Sequence, residues 1–221
     1  MIDEILPPAA RSAETFTDLD APLHPAEERN VERAVDKRRR EFTTVRACAR
    51  QALHALGHAP APILPGPGGA PQWPAGVVGS MTHCDGYRAC AVAARTDLAA
   101  IGIDAEPHQP LPDGVLSLVS LPVERASLEH LSARRPDVCW DRLLFCAKEA
   151  VYKAWFPLAE RWLGFDQAVV ALDPDGTFTA ELLVPGPVVG DVPVRGFAGR
   201  WLARHGLALT VVHVPATRPA G

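Results

Sequence analysis

The chain has 221 residues, of which 48% are hydrophobic and 22% charged, and its formal net charge at pH 7 is −4. This balance is typical of globular proteins, and a chain of this length can bury a core without disulfides. Disordered, collagen-like and coiled-coil proteins are therefore excluded, and the acidic charge argues against a general nucleic-acid binder. The 22 prolines and 17 glycines predict short elements joined by ordered loops.

The sequence also indicates the compartment and the state of the cysteines. No apolar stretch reaches the roughly 18 residues that span a membrane, and residues 1–6 carry acidic side chains where a signal peptide carries basic ones. The five cysteines are odd in number and show no CxxC spacing. We therefore expect a cytoplasmic protein with reduced thiols, no membrane association and no structural zinc.

The first half predicts helix followed by strands. Apolar residues recur at three- and four-residue steps over 25–56, which indicates a helix with a break near Asp36. Residues 58–76 are rich in proline and glycine but contain Ile63 and Trp73, so an ordered, packed loop is expected. Three extended segments follow, at 77–83, 87–94 and 99–106.

The second half predicts helices followed by strands. A Pro-, Gly- and Leu-rich loop at 107–121 leads into helices at 122–133 and 140–156, the second ended by Pro157. Strands are expected near 168–173, 177–184, 194–203 and 208–214. The fold class is α+β, with an N-terminal half at 1–105 and a C-terminal half at 106–221.

The apolar segment before Pro107 ends in two acids, Asp104 and Glu106. Side chains two apart on a strand point to the same face. Two carboxylates held side by side suit a hard divalent cation such as magnesium. The alternative is an ordinary solvated strand end.

The second strong helix carries Glu149 and Lys153 four residues apart, and therefore on one face, with Lys148 beside them. A third carboxylate with two lysines would complete a magnesium–phosphate site. The alternative is a surface ion pair, although aromatic and aliphatic neighbours indicate that this helix is largely buried.

Two further groups suit phosphate. His83 follows a Gly-Ser pair, and an imidazole can donate to a phosphate oxygen. Arg38 and Arg46 lie about two helical turns apart, and arginine forks match phosphate geometry. A packed histidine and a solvated charge run at 37–40 are the alternatives.

Together these segments resemble one family. Gly-Ile-Asp-Ala-Glu at 102–106, followed by Phe-Cys-Ala-Lys-Glu-Ala-Val-Tyr-Lys at 145–153, is similar to the signature of Sfp-type 4′-phosphopantetheinyl transferases. The segments 37–46, 73–76 and 79–83 resemble the actinobacterial and enterobactin-synthase-associated branch. The resemblance extends over about residues 25–160.

The resemblance implies a pseudo-twofold pair of α/β halves with the active site in the cleft between them. It implies transfer of the phosphopantetheine arm of coenzyme A to a serine of an apo acyl or peptidyl carrier protein, releasing adenosine 3′,5′-bisphosphate. Mg²⁺ would be the cofactor, with Mn²⁺ as a substitute, and the enzyme would be a monomer with neither nucleic acid nor membrane as partner.

The resemblance also assigns roles to individual residues. The metal carboxylates are Asp104, Glu106 and Glu149, and Glu149 is also the candidate general base. Lys153 would stabilise the leaving phosphate. The residues expected to contact coenzyme A are Arg38, Arg46, Ser80, Thr82, His83, Lys148 and Lys153.

The sequence departs from the family pattern at Pro65, where relatives often carry a lysine, so one phosphate contact is in doubt. The apolar stretch 111–121 is the candidate docking element for the carrier, or else a loop packed on its own protein. Two other functions remain open. A metal-dependent nuclease or phosphodiesterase is one, although residues 106–108 lack the expected lysine; a non-catalytic carrier-binding relative is the other.

Overall fold

Two antiparallel sheets, each backed by one long helix, make up the computed structural model, which describes residues 1–217. The first sheet has the order β1–β3–β2 and the second has the order β4–β10–β9–β6–β5. The strands of the first sheet are β1 (Arg11–Thr15), β2 (Val77–Cys84) and β3 (Tyr87–Ala94). Those of the second are β4 (Leu98–Pro107), β5 (Ala168–Leu172), β6 (Thr177–Leu182), β9 (Gly196–Arg204) and β10 (Leu207–Pro215). A separate hairpin comprises β7 (Val188–Val189) and β8 (Val192–Pro193).

The helices are α1 (Pro25–Glu28), α2 (Asp36–Ala55), α3 (Val115–Val119), α4 (Pro122–Arg134) and α5 (Trp140–Ala159). Helix α2 packs on β1 and β3, and α5 packs on β4 and β10. A cluster of buried apolar side chains, which includes Tyr87, Ile103 and Leu209, lies between the two sheets and joins them. Among the described residues, no helix is both long and apolar enough to cross a membrane.

Side-chain hydroxyls link the sheets where β2 lies beside β4. Ser80 Oγ accepts a hydrogen bond from the Ile103 amide at 3.0 Å, and Thr82 Oγ1 accepts one from the Ala105 amide at 3.0 Å. These bonds satisfy amides of β4, an edge strand that has no backbone neighbour on this side among the described residues. They also hold the end of β4, which carries the acidic pair, against the first sheet.

A glycine sets the distance between α5 and β4. A Cβ built on Gly102 would lie 2.0 Å from the backbone oxygen of Ala150 in α5. Because that overlap involves backbone, no side chain can replace this glycine without moving the helix. The close approach puts the middle of α5 directly over the acidic end of β4.

The mixed sheets and helices confirm the α+β class. The break in the first long helix, the ordered loop, and the strands β2, β3 and β4 are confirmed. Since β4 pairs with β10, the sheets separate between residues 94 and 98, not at 105. The end of the predicted C-terminal half, residue 221, lies outside the described residues.

Several elements differ from the prediction. Strand β1, helix α3 and the β7–β8 hairpin were missed, and the helix predicted to end before Pro157 continues to Ala159. Proline removes one amide donor but leaves later ones free, and the Glu160 amide still bonds Phe156 O at 2.9 Å. All five cysteines are free, as expected, and Cys146 is fully buried against β10.

Candidate active site

One face of α5 carries three functional side chains toward β4. Arg142, Glu149 and Lys153 are separated by seven and four residues, so they form a stripe along the helix. Lys153 Nζ lies 2.7 Å from Asp104 Oδ1, and Arg142 Nη1 lies 3.0 Å from Glu106 Oε2. The structure therefore brings together the two segments that the sequence singled out, the acidic pair and the Glu149–Lys153 pair.

Asp104 is held by one of its two oxygens. Its Oδ1 accepts from Lys153 Nζ and from Thr82 Oγ1, the latter at 3.2 Å. Its Oδ2 is buried and has no hydrogen-bond partner within residues 1–217. A buried carboxylate oxygen without a partner is costly, which is the condition expected of an atom that binds a cation or another ligand.

The carboxylates perturb one another. Burial raises the pKa of Glu106, and the charge of Asp104 raises it further, while Arg142 opposes both. Burial also raises the pKa of Glu149, with Asp104 adding to the effect and Lys153 opposing it. Crowded anions of this kind are stabilised by a positive charge placed among them.

Lys153 keeps its charge in this environment. Burial alone would lower the pKa of its ammonium, but Asp104, and secondarily Glu149, raise the pKa above its ordinary value. The ammonium also donates to Ile103 O at 3.1 Å. A fixed, charged lysine therefore stands between the acidic end of β4 and Glu149.

The donor chemistry fits a hard divalent cation, since carboxylate oxygens are what magnesium binds and Asp104 Oδ2 is unpartnered. The cluster is not closed, however. Among residues 1–217, no three Asp, Glu, His or Cys side chains converge as a ready-made metal site. Arg142 and Lys153 instead neutralise Glu106 and Asp104, each through one oxygen.

A cavity of about 760 Å³ opens beside this stripe, between the two sheets. Its walls come from α2, β2, the 65–76 loop and the second half of α5. Six of the predicted site residues line it: Arg38, Arg46, Ser80, His83, Glu149 and Lys153. Glu149 and Lys153 thus face both the cavity and the acidic end of β4, and the size is that of a ligand pocket.

The cavity is rimmed by basic groups. Arg46 lies over the Phe42 ring at 3.2 Å and donates to Ile63 O at 3.1 Å. Burial lowers its pKa to about 10, so it remains protonated at neutral pH. Arg38 Nη1 lies 3.0 Å from His83 Nε2. Burial, and secondarily Arg38, lowers the pKa of His83, which is therefore neutral at pH 7.

Lys148 does not belong to this site. Its Nζ contacts Glu124 Oε2 at 2.9 Å, Phe165 O at 2.6 Å and Ala168 O at 3.1 Å, which uses all three ammonium donors. The side chain is 4% exposed and is not part of the cavity wall. The expectation that Lys148 contacts a phosphate is therefore not supported, because α4 supplies a buried carboxylate that the sequence could not place.

The β2 hydroxyls also have a different role. Thr82 is buried and lies outside the cavity wall. Its hydroxyl accepts from the Ala105 amide and donates to Asp104 Oδ1. It positions a carboxylate, and its expected contact with coenzyme A is not supported. Ser80 does line the cavity, although its Oγ accepts from the Ile103 amide.

Sequence reasoning missed two residues. Arg142 could have been found from its place seven residues before Glu149, on the same helix face. For Glu27, the sequence indicated no role beyond its position in a short helix. It is fully buried, accepts from the Ile63 amide at 2.8 Å and from Arg50 at 3.0 Å, and so anchors the start of the loop that forms one cavity wall.

Comparisons with known proteins agree with this geometry. The family described as "4′-phosphopantetheinyl transferase N-terminal domain" matches residues 26–93, and the "4′-phosphopantetheinyl transferase superfamily" matches residues 100–198. The first match ends at residue 93 and the second begins at residue 100, and the chain passes from the first sheet to the second between these positions.

Three curated relatives are similar over most of their length. 4′-Phosphopantetheinyl transferase Svp of Streptomyces mobaraensis is 60% identical, covering 100% of this chain and 91% of that protein. Npt of Nocardia iowensis is 51% identical, covering 96% and 99%. PptT of Mycobacterium tuberculosis is 49% identical, covering 85% and 84%. The chain belongs to the 4′-phosphopantetheinyl transferase family.

Proposed function

We propose that this enzyme transfers the 4′-phosphopantetheine arm of coenzyme A to a serine hydroxyl of an apo acyl or peptidyl carrier protein, releasing adenosine 3′,5′-bisphosphate. One observation carries the proposal. Glu149 and Lys153 line a cavity with basic walls and also lie beside the carboxylates of β4. A substrate with several phosphates can therefore bind in the cavity while its reacting phosphate reaches the acidic groups.

The cavity suits the nucleotide end of coenzyme A. Arg38 and Arg46 present guanidinium groups that pair with phosphate oxygens, and neutral His83 can donate one hydrogen bond. These three are the proposed contacts for the 3′-phosphate and pyrophosphate. The Pro65 position belongs to the cavity wall, so the lysine of relatives would have pointed to the same space.

Asp104, Glu106 and Glu149 are the residues that would hold Mg²⁺, or Mn²⁺ in its place. The cation, when bound, neutralises pyrophosphate charge and orients the substrate for in-line attack. Thr82 and Lys153 fix one oxygen of Asp104, which leaves the unpartnered oxygen for this purpose.

The remaining chemistry is proton movement. Glu149, with its raised pKa, is the general base that takes the proton of the carrier serine, directly or through a water. Lys153 stays charged and stabilises the negative charge that develops on the leaving phosphate. No covalent enzyme intermediate is required.

The carrier would dock on the stretch 111–121, which follows the acidic end of β4. This stretch contains α3, in which Leu118 is 78% exposed while Val119 is buried. An apolar side chain held out by a packed helix suits a protein surface. We further propose a monomer acting in a reducing compartment, the cytoplasm, which five free cysteines favour.

The two alternatives are less well supported. A metal-dependent nuclease would place a lysine two residues after an acid on β4, and the residue two after Glu106 is His108. A non-catalytic relative would not need Glu149 and Lys153 to face the cavity. The relatives described above are named as transferases.

The test is to incubate the enzyme with coenzyme A, MgCl₂ and apo carrier proteins from fatty acid, polyketide and nonribosomal peptide synthases. Intact mass spectrometry is expected to show one added phosphopantetheine group on at least one carrier. A Ser→Ala carrier serves as the control. No mass gain on any carrier would overturn the proposal.

A further inference from the structure

Arg142 binds three acceptors at once from the first turns of α5. Its Nη1 contacts Glu106 Oε2 at 3.0 Å, its Nε donates to Gln109 O at 3.1 Å, and its Nη2 donates to Pro110 O at 3.0 Å. The side chain is 12% exposed. A planar guanidinium donates from three separate nitrogens in a fixed fork, whereas a lysine ammonium offers all its donors from a single atom.

Neighbouring residues of α5 hold the same segment. Asp141 Oδ2 accepts from the Leu111 amide at 2.8 Å, and the Cys139 amide donates to His108 Nε2 at 2.9 Å. The segment 106–111 is therefore tied to the beginning of α5 along its whole length. Glu106 stands at its first position, so its side chain is fixed by the same contacts.

Glu106 and Asp104 share one arrangement. Each has one oxygen bound by a cationic side chain of α5, Asp104 by Lys153 and Glu106 by Arg142. The other oxygen of each carboxylate accepts no hydrogen bond from residues 1–217. In both cases the protein orients the carboxylate and leaves one oxygen to bind something else.

We propose that Arg142 is a positioning residue that fixes Glu106 Oε1 for binding of the divalent cation. The inference rests on the proposed function, in which Glu106 is a metal ligand. Partners that orient a metal-binding carboxylate typically contribute about 10–100-fold to metal affinity. Arg142 is absent from the cavity wall, so its role is separate from nucleotide binding.

The test is a titration of the full chain with Mn²⁺ in the presence of coenzyme A, followed by electron paramagnetic resonance of free Mn²⁺. Arg142→Ala is expected to weaken Mn²⁺ binding about tenfold or more. Its affinity for coenzyme A without divalent cation is expected to match that of the wild type. Arg135→Ala removes an exposed arginine just before α5 whose guanidinium, within residues 1–217, forms an ion pair only with Asp137, and it is the matched control.

A second variant and a second measurement keep the proposal testable if Arg142→Ala does not fold. Arg142→Lys keeps the positive charge but replaces three donor nitrogens with one, which does not match acceptors placed for Nε, Nη1 and Nη2, so Mn²⁺ binding is expected to fall by at least threefold. Hydrogen–deuterium exchange is expected to increase in 107–111 for both variants. Such loosening is what loss of these hydrogen bonds produces, and it reports on Arg142 without the metal.

The outcomes separate the two proposals. Normal Mn²⁺ affinity in both Arg142 variants, with tight binding in the wild type, would overturn the role of Arg142 alone. No Mn²⁺ binding by the wild type with coenzyme A would overturn the metal assignment in the proposed function, and this inference with it.

Discussion

The basic groups of the cavity and those of helix α5 differ in what neutralises them. In the cavity, Arg46 stacks on an aromatic ring and is 3.9 Å from the nearest Glu27 oxygen, and Arg38 faces the neutral His83. These groups pair weakly with the protein's own acids. They retain hydrogen-bonding capacity for an anionic ligand.

On α5 every cation has a close carboxylate. Arg142, Lys148 and Lys153 lie 3.0, 2.9 and 2.7 Å from Glu106, Glu124 and Asp104, respectively. Two of these pairs orient acids of the active site, and the third is a buried structural pair. We infer that the partner of a cation, more than its place in a motif, decides whether it is available to a ligand, orients a carboxylate or forms a buried structural pair.

The largest effect is expected for Glu149→Gln, which removes the proposed general base on the α5 side of this comparison. We expect the transfer rate at saturating coenzyme A to fall by about 10²–10⁴-fold. Coenzyme A is expected to bind still, because the arginines of the cavity are intact. Glu129→Gln, on the exposed face of α4, is the control. A fully active Glu149→Gln enzyme would remove this residue from the mechanism.

Lys148→Met tests whether the third cation of α5 is structural. It leaves the fully buried Glu124 without its charged partner, and loss of one member of a buried pair costs about 3–5 kcal/mol. Urea unfolding measures this loss of stability, with the exposed Lys37→Met as the control. If Lys148→Met instead weakened coenzyme A binding without loss of stability, Lys148 would be a phosphate contact and not a structural residue.

Arg38→Ala and Arg46→Ala test the cavity side. Each removes charged hydrogen bonds to phosphate worth about 1.5–3 kcal/mol, so calorimetry is expected to show coenzyme A binding about 10–100-fold more weakly. Arg39→Ala is the matched control, because this exposed neighbour donates to Val31 O outside the cavity. Unchanged affinity in both variants would place the nucleotide elsewhere.

The smallest effect is a pH dependence of stability from His83. Its pKa lies below the ordinary 6.5 in the folded protein, so the unfolded chain takes up a proton first on acidification. The free energy of unfolding is therefore expected to fall as the pH drops below about 6.5, more in the wild type than in His83→Gln. Thermal unfolding from pH 8 to 5 measures the difference. Parallel profiles would show that His83 titrates normally.

The sequence predicted elements whose pattern is local. Helix α2, strands β2, β3 and β4, and most of α5 follow from periodicity and from turn residues at their ends. Strand β1 lacks alternation and exists because β3 offers it a neighbour, which is a tertiary effect. Pro157 removes only one amide donor from α5, which is too little to end the helix, so the predicted end was too early.

The candidate site was also predicted only where its pattern is local in the sequence. The family resemblance led us to expect Glu149 and Lys153 beside the acidic pair, and in the structure Lys153 Nζ lies 2.7 Å from Asp104 Oδ1. Lys148 could not be assigned by spacing, since its partner comes from another helix. The spacing of Arg142 from Glu149 indicated its helix face, but its bond to Glu106 depends on how α5 crosses β4 and could not be predicted.

In the proposed function, the cavity binds coenzyme A while the carboxylates and Glu149 carry out transfer. The most direct measurement is the rate at which an apo carrier gains phosphopantetheine mass, for the wild type, Arg46→Ala and Glu149→Gln over a range of coenzyme A concentrations. Arg46→Ala is expected to approach the wild-type rate at saturating coenzyme A, whereas Glu149→Gln stays inactive at every concentration. Recovery of Glu149→Gln at high coenzyme A, or failure of Arg46→Ala to recover, would contradict this division of roles.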